Sequence, residues 1–162
     1  MAYRLLFVCL GNICRSPAAE NIMNSLLAQR GLTETIACDS AGTASYHLGS
    51  APDRRVGIAL QKKGYEVNGR ARQFGRSDFQ DFDLILAMDQ ENYQNILALD
   101  PQGHYHHKVK PMTDYARHHG DREVPDPYYG GEAGFDHVIS LLEDACQGLL
   151  ESLQLAPKGS DA

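Results

Sequence analysis

Two observations predict an α/β fold, in which a parallel sheet is covered by helices on both faces. Short apolar runs of strand length alternate with segments of helical spacing along the chain. The chain has 162 residues, 43% of them hydrophobic and 22% charged, which suits one three-layer domain with a single core better than two domains. In an open parallel sheet, ligands bind at the carboxyl ends of the strands. We therefore expect the functional residues in the loops that follow the strands.

The first half of the chain contains two units of strand followed by helix. A strand over residues 3–9 precedes a helix over residues 17–30, and Gly31 is a common residue just past a helix end. A second strand over residues 35–40 leads through a loop to a helix over residues 53–63. The same order of elements is thus used twice.

A third unit follows, with the most apolar strand of the chain at residues 83–88. Asp89 is placed to cap a helix over residues 90–99, which ends before Pro101. Residues 108–112 form a short fourth strand. The order of elements predicts four strands in all.

The last third of the chain consists of a long loop and a long helix. Residues 113–131 are rich in Pro, Gly, Asp, His and Tyr, which is typical of a loop, and long loops in compact domains are often functional. Residues 132–153 have apolar side chains at spacings of three and four, so one face of this helix packs on a core. We assign residues 1–155 to the domain and residues 156–162 to a short C-terminal tail.

Charge and composition limit the partners. The net charge is −6, and residues 121–162 contain nine acidic and two basic side chains. No stretch is dense in Lys and Arg, so we expect no nucleic-acid partner. No apolar run approaches the roughly 20 residues of a membrane-spanning helix, and no signal peptide is evident, so we expect a cytoplasmic protein without a membrane partner. The seven histidines lack the paired spacing of a structural zinc site, so we expect no metal.

A cysteine and an arginine bracket five residues directly after the first strand, in the run Cys9-Leu10-Gly11-Asn12-Ile13-Cys14-Arg15. Such a loop can wrap a tetrahedral oxyanion if its amides point inward, and Gly11 and Asn12 tolerate the unusual backbone dihedrals that this needs. We expect Ser16 to cap the following helix, whose amino terminus adds positive potential. The sequence therefore predicts a phosphate-binding loop.

The residues of this loop also suit catalysis. Positive potential favours the thiolate of Cys9, which makes it a candidate nucleophile. Arg15 has a planar fork of donors that can bind two phosphoryl oxygens and stabilise the charge of a transition state. The hydroxyl of Ser16 can donate a hydrogen bond to the Cys9 sulfur, which also favours the thiolate.

Four motifs occur in a particular order: CLGNICRSPAAE from Cys9, DSAGT from Asp39, LILAMD ending at Asp89, and DPYY from Asp126. Together they resemble the low-molecular-weight protein tyrosine phosphatases, over about residues 4–153. The resemblance implies a four-stranded parallel sheet and no cofactor. It also implies phosphotyrosyl proteins as substrates and inorganic phosphate as the product.

The resemblance further implies roles for individual residues. Cys9 would attack phosphorus to form a cysteinyl-phosphate, Arg15 would hold the phosphoryl oxygens, and Asp126 would protonate the departing tyrosine oxygen. The proline on each side of Asp126 restricts its backbone, and the same carboxylate can later accept a proton from the attacking water. The remaining residues of the loop would bind the phosphate: Leu10, Gly11, Asn12, Ile13, Cys14 and Ser16.

Supporting residues follow from the same resemblance. Ser40 and Asn12 would hold the phosphate loop in shape. An aromatic wall for the substrate ring would consist of Tyr46, Tyr128 and Tyr129, and Leu10 would lie with Tyr46 at the rim of the pocket.

One position departs from the family pattern, and one cysteine has an implied second role. Family members often carry a histidine three positions before Arg72, where this chain has Gly69, which leaves open whether Asn12 is supported from that side. Cys14 matches a second loop cysteine that forms a reversible disulfide with Cys9 under oxidation. The resemblance therefore implies redox protection by Cys14.

Two other functions compete with a phosphatase. A thiol-dependent arsenate reductase of similar fold needs a further pair of cysteines after the third strand, and none lies between Cys38 and Cys146. Cys38 and Cys146 themselves lie on core faces of a predicted strand and a predicted helix, so we expect them to be structural. A non-catalytic phosphate-binding module would lack the nucleophile or the acid, yet Cys9, Arg15 and Asp126 are all present. The residues favour the phosphatase, and they leave the oligomeric state open.

Overall fold

A parallel sheet of four strands forms the centre of the domain. The computed structural model describes residues 2–128 and 130–154. Its strands are β1 (Tyr3–Cys9), β2 (Ile36–Gly42), β3 (Leu84–Ala87) and β4 (Val109–Pro111), in the order β2-β1-β3-β4. All the pairings are parallel, and β1 pairs with both β2 and β3. The predicted fold class is confirmed.

The helices follow the strands as predicted, with small shifts at their ends. They are α1 (Arg15–Gln29), α2 (Arg54–Lys62), α3 (Asp78–Asp81), α4 (Gln90–Ala98) and α5 (Glu132–Gln154). The sequence did not predict the short helix α3, nor the 3₁₀ turns at His106–Lys108 and Met112–Tyr115. The expected tail at residues 156–162 lies outside the described residues.

Side chains of β1 alternate between two cores, as the period of two in a strand requires. Leu5 and Phe7 belong to the larger core, on the face covered by α1, α2 and α5, whereas Leu6 and Val8 belong to a smaller core that contains residues of α3 and α4. The sheet is therefore covered on both faces, and the chain forms three layers. No helix in the described part of the chain has the length and apolarity required to cross a bilayer.

The carboxyl ends of the strands lie at one edge of the sheet, and three functional segments follow them. Residues 10–14 lie between β1 and α1, Asp89 follows β3, and the loop that contains Asp126 comes after β4. Strand β2 runs two residues further than predicted, because Gly42 pairs with Cys9 at the same edge. The topology thus places the predicted motifs next to one another.

Candidate active site

The phosphate loop, residues 10–14, has one residue in the left-handed region of the backbone. Asn12 has a φ of 57° and is, among the described residues, the only one other than glycine with a positive φ. Asparagine tolerates this conformation better than most residues do. Gly11 has no positive φ, so the expectation of unusual dihedrals there is wrong. Glycine instead suits this position because there is little room for a side chain: a Cβ atom would lie 3.0 Å from Cδ2 of His47.

The side chain of Asn12 fixes the loop through three hydrogen bonds. Its Nδ2 donates to Oγ of Ser16 at 2.8 Å and to Oγ of Ser40 at 2.9 Å. Its Oδ1 accepts the backbone N–H of Arg72 at 3.0 Å. Ser40 in turn donates to Oε1 of Glu20 at 2.5 Å. The strained residue of the loop is therefore bound to α1, β2 and the segment around Arg72.

Asn12 has a hydrogen-bond partner in the segment around Arg72 although Gly69 has no side chain. The bond comes from the backbone of Arg72, which does not depend on the side chain at position 69. Arg72 is itself fixed, since its guanidinium donates to Asp39 and to Asp78, with N–O distances of 3.1 Å in both ion pairs. Near Gly69, burial raises the pKa of Glu20, and the hydrogen bond from Ser40 opposes this rise.

The sulfur of Cys9 lies beside the start of α1. Its Sγ is 3.0 Å from Oγ of Ser16, and Cys9 is 2% exposed. The helix begins earlier than predicted, with Cys14 at the cap position and Ala18 N–H donating to Cys14 C=O at 3.1 Å. The expectation that Ser16 caps the helix is therefore wrong. Because Ser16 lies inside the first turn, its hydroxyl contacts Cys9 and Asn12 instead.

Arg15 is buried among oxygen atoms at the bottom of the site. Its Nη1 donates to Oδ2 of Asp89 at 2.6 Å and to the carbonyl of Val124 at 3.2 Å, and its Nη2 is 3.6 Å from Oδ2 of Asp126. Arg15 is 2% exposed. Burial alone would lower its pKa, but the negative charges of Cys9, Asp89 and Asp126 raise it overall. The guanidinium is thus fixed in position and charged.

Asp89 has a role that the sequence did not indicate. Its Oδ1 accepts the N–H of Asn92 at 2.7 Å, which confirms the predicted cap of α4. Its other oxygen binds Arg15. An aspartate directly after a buried strand, at the edge where the phosphate loop lies, is the signal that points to such a contact.

Asp126 lies on a loop that passes over this end of the sheet. Val124, two residues before Asp126, donates its N–H to the carbonyl of Met88 at 2.8 Å. Asp126 itself accepts the N–H of Tyr128 at 3.1 Å, and its side chain is 39% exposed. The structure therefore brings together the three residues predicted as catalytic, Cys9, Arg15 and Asp126.

Aromatic rings form one side of the site. The ring of His47 is 6.4 Å from that of Tyr46 and 6.3 Å from that of Tyr128, between centroids. Tyr46 is 74% exposed, in keeping with a place at the rim. The guanidinium of Arg55 lies 5.2 Å from the ring centre of Tyr128. The sequence missed His47 and Arg55, and the predicted wall residue Tyr129 lies outside the described residues.

Neighbouring backbone amides bind the carbonyl groups of the phosphate loop. Leu10 C=O accepts the N–H of Ala44 at 3.0 Å, and Ile13 C=O accepts the N–H of Asp53 at 2.7 Å. Strand β2 ends against this loop so closely that a Cβ atom on Gly42 would lie 2.7 Å from the oxygen of Leu10. The loop is thus fixed from outside by β2 and by the start of α2.

Cys14 is buried within the same loop. Burial and the nearby Asp53 and Cys9 raise the pKa of Cys14 to about 12, so its thiol is neutral at pH 7. A disulfide with Cys9 stays a prediction, because all four cysteines are free thiols. Over residues 2–128 and 130–154, no three His, Cys, Asp or Glu side chains are grouped so that they could hold a metal ion.

The chain is similar to known proteins over nearly its whole length. A family model described as low molecular weight phosphotyrosine protein phosphatase matches residues 4–158. A relative from Synechocystis sp., assigned to the low molecular weight protein-tyrosine-phosphatases, is 69% identical over 150 residues, which are 93% of this chain and 96% of the relative. The crystal structure of a protein tyrosine phosphatase from Entamoeba histolytica superimposes with a TM-score of 0.91 at 48% identity, covering 94% of this chain and 97% of that one. The chain belongs to the low molecular weight phosphotyrosine protein phosphatase family.

Proposed function

We propose that this protein hydrolyses phosphotyrosine in proteins, and aryl phosphates generally, through a cysteinyl-phosphate intermediate. The observation that carries the proposal is the arrangement around Arg15. Its guanidinium is buried, with Nη1 2.6 Å from Asp89 and Nη2 3.6 Å from Asp126, at the end of the loop that begins with Cys9. A nucleophile, a phosphoryl-binding cation and a proton donor thus converge on one site.

The phosphoryl group would bind first. The amides of residues 10–14, the amino terminus of α1 and the donor fork of Arg15 provide positive potential for its oxygens. Because Arg15 is already fixed by Asp89 and Val124, little reorganisation is needed when charge develops on the equatorial oxygens in the transition state. The binding of phosphate and the stabilisation of the transition state would rest on the same groups.

The first chemical step would transfer the phosphoryl group to sulfur. The thiolate of Cys9 attacks phosphorus, the bond from phosphorus to the tyrosine oxygen breaks, and Asp126 gives its proton to that oxygen. The hydroxyl of Ser16, 3.0 Å from Sγ, stabilises the thiolate by donating a hydrogen bond to it. This step requires Asp126 in its protonated form.

The second step would return the enzyme to its starting state. A water molecule attacks phosphorus and gives a proton to the carboxylate of Asp126, while the bond from phosphorus to sulfur breaks. Inorganic phosphate leaves, and Cys9 is again a thiolate. The mechanism requires Cys9 as a free thiol, so we expect the protein in a reducing compartment such as the cytoplasm.

The aromatic side of the site supports an aryl substrate. The rings of Tyr46, His47 and Tyr128 follow one another at centroid distances of 6.3–6.4 Å. Aromatic rings pack favourably against one another in edge-to-face or offset geometry, so a tyrosyl leaving group would gain contacts that a seryl group would not. Phosphotyrosyl proteins are therefore the proposed substrates.

The arsenate reductase alternative gains no support from the other two thiols. Sγ of Cys146 contacts the carbonyl of Ala19, and Sγ of Cys38 contacts the carbonyl of Glu20 and the side chain of Asn24. Both thiols thus form hydrogen-bond contacts with residues of α1. Burial raises the pKa of each above its usual value. Neither is placed as a second thiol of a disulfide relay with Cys14.

The test measures hydrolysis of p-nitrophenyl phosphate, a phosphotyrosyl peptide and a phosphoseryl peptide, all with EDTA present. We expect the wild type to hydrolyse the first two, Cys9→Ser to be inactive, and Asp126→Ala to lose about 10²-fold or more in kcat on the phosphotyrosyl peptide, whose leaving group needs a proton. Cys38→Ser, which removes a thiol outside the loop, is the matched control and should keep full activity. Acid quenching of the wild type should trap one phosphate per chain, and Cys9→Ser should trap none. Activity that survives Cys9→Ser, or that EDTA abolishes, would overturn the mechanism.

A further inference from the structure

The loop that precedes Asp126 is bound to helix α5 by a carboxylate that the proposed mechanism does not use. The side chain of Asp144 accepts three successive backbone N–H groups, from Arg117 at 3.0 Å, His118 at 2.8 Å and His119 at 3.0 Å. Its side chain is only 6% exposed. Burial alone would raise the pKa of Asp144, but these bonds and the imidazole of His119 lower it to about 2. The carboxylate is therefore charged at any ordinary pH.

Side-chain contacts extend this arrangement. Nδ1 of His119 lies 2.9 Å from Oδ2 of Asp144, and its Nε2 lies 3.3 Å from Oγ of Ser140. On α5, one turn before Ser140, Nε2 of His137 lies 2.8 Å from Oδ2 of Asp121. The rings of the two histidines are 5.8 Å apart. We call these five residues the α5 clamp; they join residues 117–121 of the loop to a single helix.

A short path leads from the α5 clamp to the proton donor. Oε2 of Glu123 accepts the N–H of Gln90 at 2.6 Å, at the start of α4. The backbone of Val124 binds Met88 through its N–H and Arg15 through its carbonyl. The loop is thus fixed on α5 at one end and at the edge of the sheet at the other, and Asp126 follows two residues later. Asp126 is exposed, so its position depends on the loop that carries it.

The α5 clamp contains a serine, a histidine and an aspartate in hydrogen-bond contact, as in serine hydrolases. Two observations favour a positioning role instead. Asp144 binds three backbone amides, which is how a carboxylate fixes a loop. Ser140 lies in the interior of a helix of 23 residues, whereas a nucleophilic serine needs an exposed position at a turn.

We infer that Asp144 is a positioning residue for proton transfer: by fixing residues 117–119 on α5, it keeps Asp126 within reach of the leaving oxygen. The inference rests on the proposed function, because it requires Asp126 to be the proton donor. Its consequence is selective. Loss of the Asp144 carboxylate should impair protonation of the leaving group and leave phosphate binding at Arg15 intact.

The test compares two substrates that differ in how much they need a proton donor. p-Nitrophenolate is a good leaving group, whereas phenolate, like the side chain of tyrosine, needs protonation. We expect Asp144→Asn to lower kcat/KM for phenyl phosphate about tenfold, and for p-nitrophenyl phosphate less than about twofold. The inhibition constant for inorganic phosphate should not change. Glu143→Gln is the matched control, since Glu143 lies next to Asp144 but binds Lys63 and Tyr65; it should change neither substrate.

A double variant that combines Asp144→Asn with Asp126→Ala distinguishes a positioning role of Asp144 from a general loss of structure. In that background the proton donor is gone, so Asp144→Asn should not change the ratio of the two kcat/KM values any further. Should Asp144→Asn fail to fold, His119→Ala provides a milder test, because it removes the imidazole contacts with Asp144 and Ser140 and keeps the three backbone bonds. The expected effect is about threefold on phenyl phosphate.

Three outcomes would overturn the inference: an equal fall for both substrates, no fall for either, or a ratio that still changes in the Asp126→Ala background. If Asp126→Ala lowers kcat/KM equally for the two substrates, the proposed function fails, and the inference fails with it. If Asp126→Ala lowers kcat/KM more for phenyl phosphate than for p-nitrophenyl phosphate, and Asp144→Asn does not, the inference alone is wrong.

Discussion

The two halves of the site are built differently. Cys9 and Arg15 are each 2% exposed, and the phosphate loop between them is bound on all sides by β2, α1 and α2. Asp126, by contrast, has a side chain that is 39% exposed, on a loop whose backbone is bound to the sheet edge at Val124, two residues earlier. In the proposed mechanism, binding of the phosphoryl group thus depends on buried residues at the core, whereas protonation of the leaving group depends on an exposed residue of a loop.

Among variants that keep Cys9, the largest effect should come from Arg15→Lys, in the buried half. A single ammonium cannot bind two phosphoryl oxygens while also contacting Asp89 and the carbonyl of Val124. We expect kcat/KM for p-nitrophenyl phosphate to fall on the order of 10³-fold, and the midpoint of urea unfolding to fall as well. A fall of less than tenfold, with the fold intact, would show that the fork geometry of Arg15 is not needed.

Asp89→Asn should have a smaller effect in the same half. Asparagine keeps the cap of α4 but removes the charge that binds Arg15, so we expect kcat/KM to fall roughly 10- to 100-fold. Asp53→Asn makes the same change at the cap of α2, where the carboxylate binds Arg55 instead, and is the control. Equal losses in both variants would mean that capping, not the contact with Arg15, accounts for the effect.

In the loop half, Asp144 should affect stability in a way that depends on pH. Its pKa is about 2 in the folded protein and has a usual value of 3.8. A carboxylate whose pKa is lowered on folding stabilises the protein at pH values above its usual pKa. This contribution is lost as the pH falls through the pKa of the folded state. We expect about 2 kcal/mol at pH 7 and about half of that at pH 3. Urea unfolding of the wild type and Asp144→Asn at the two pH values measures it; a difference independent of pH would contradict the assignment.

The smallest effect on basal activity should come from Cys14→Ser. With a pKa of about 12, Cys14 is a neutral thiol during catalysis, so kcat/KM should change less than about twofold. After peroxide treatment, however, the wild type should recover with dithiothreitol and Cys14→Ser should not, because a Cys9 sulfenic acid without a neighbouring thiol oxidises further. Equal recovery of both would refute redox protection.

The sequence predicted the elements and the phosphate loop because their signals are local: strand runs, helix ends, and a cysteine and an arginine around a glycine and an asparagine. It could not predict contacts between distant segments. The bond from Arg15 to Asp89 joins residues 74 positions apart, and the bonds from residues 117–119 to Asp144 span 25–27 positions.

The errors have similar causes. Ser16 satisfies the composition rule for a cap, but the helix starts earlier, around Cys14. The effect of Gly69 was open from the sequence for the same reason: Asn12 is bound by the backbone of Arg72, which any residue provides. A motif identifies which residue types are present. It does not show which of their atoms makes the contact.

The close approach of Gly42 to the phosphate loop limits how such a protein can diversify. A Cβ atom there would lie 2.7 Å from the backbone oxygen of Leu10, so any larger residue must displace the loop itself. The sheet therefore limits the dimensions of the proposed anion site. We expect changes of substrate to arise mainly at the exposed rim, where replacement of a residue such as Tyr46, which is 74% exposed, should cost little folding free energy.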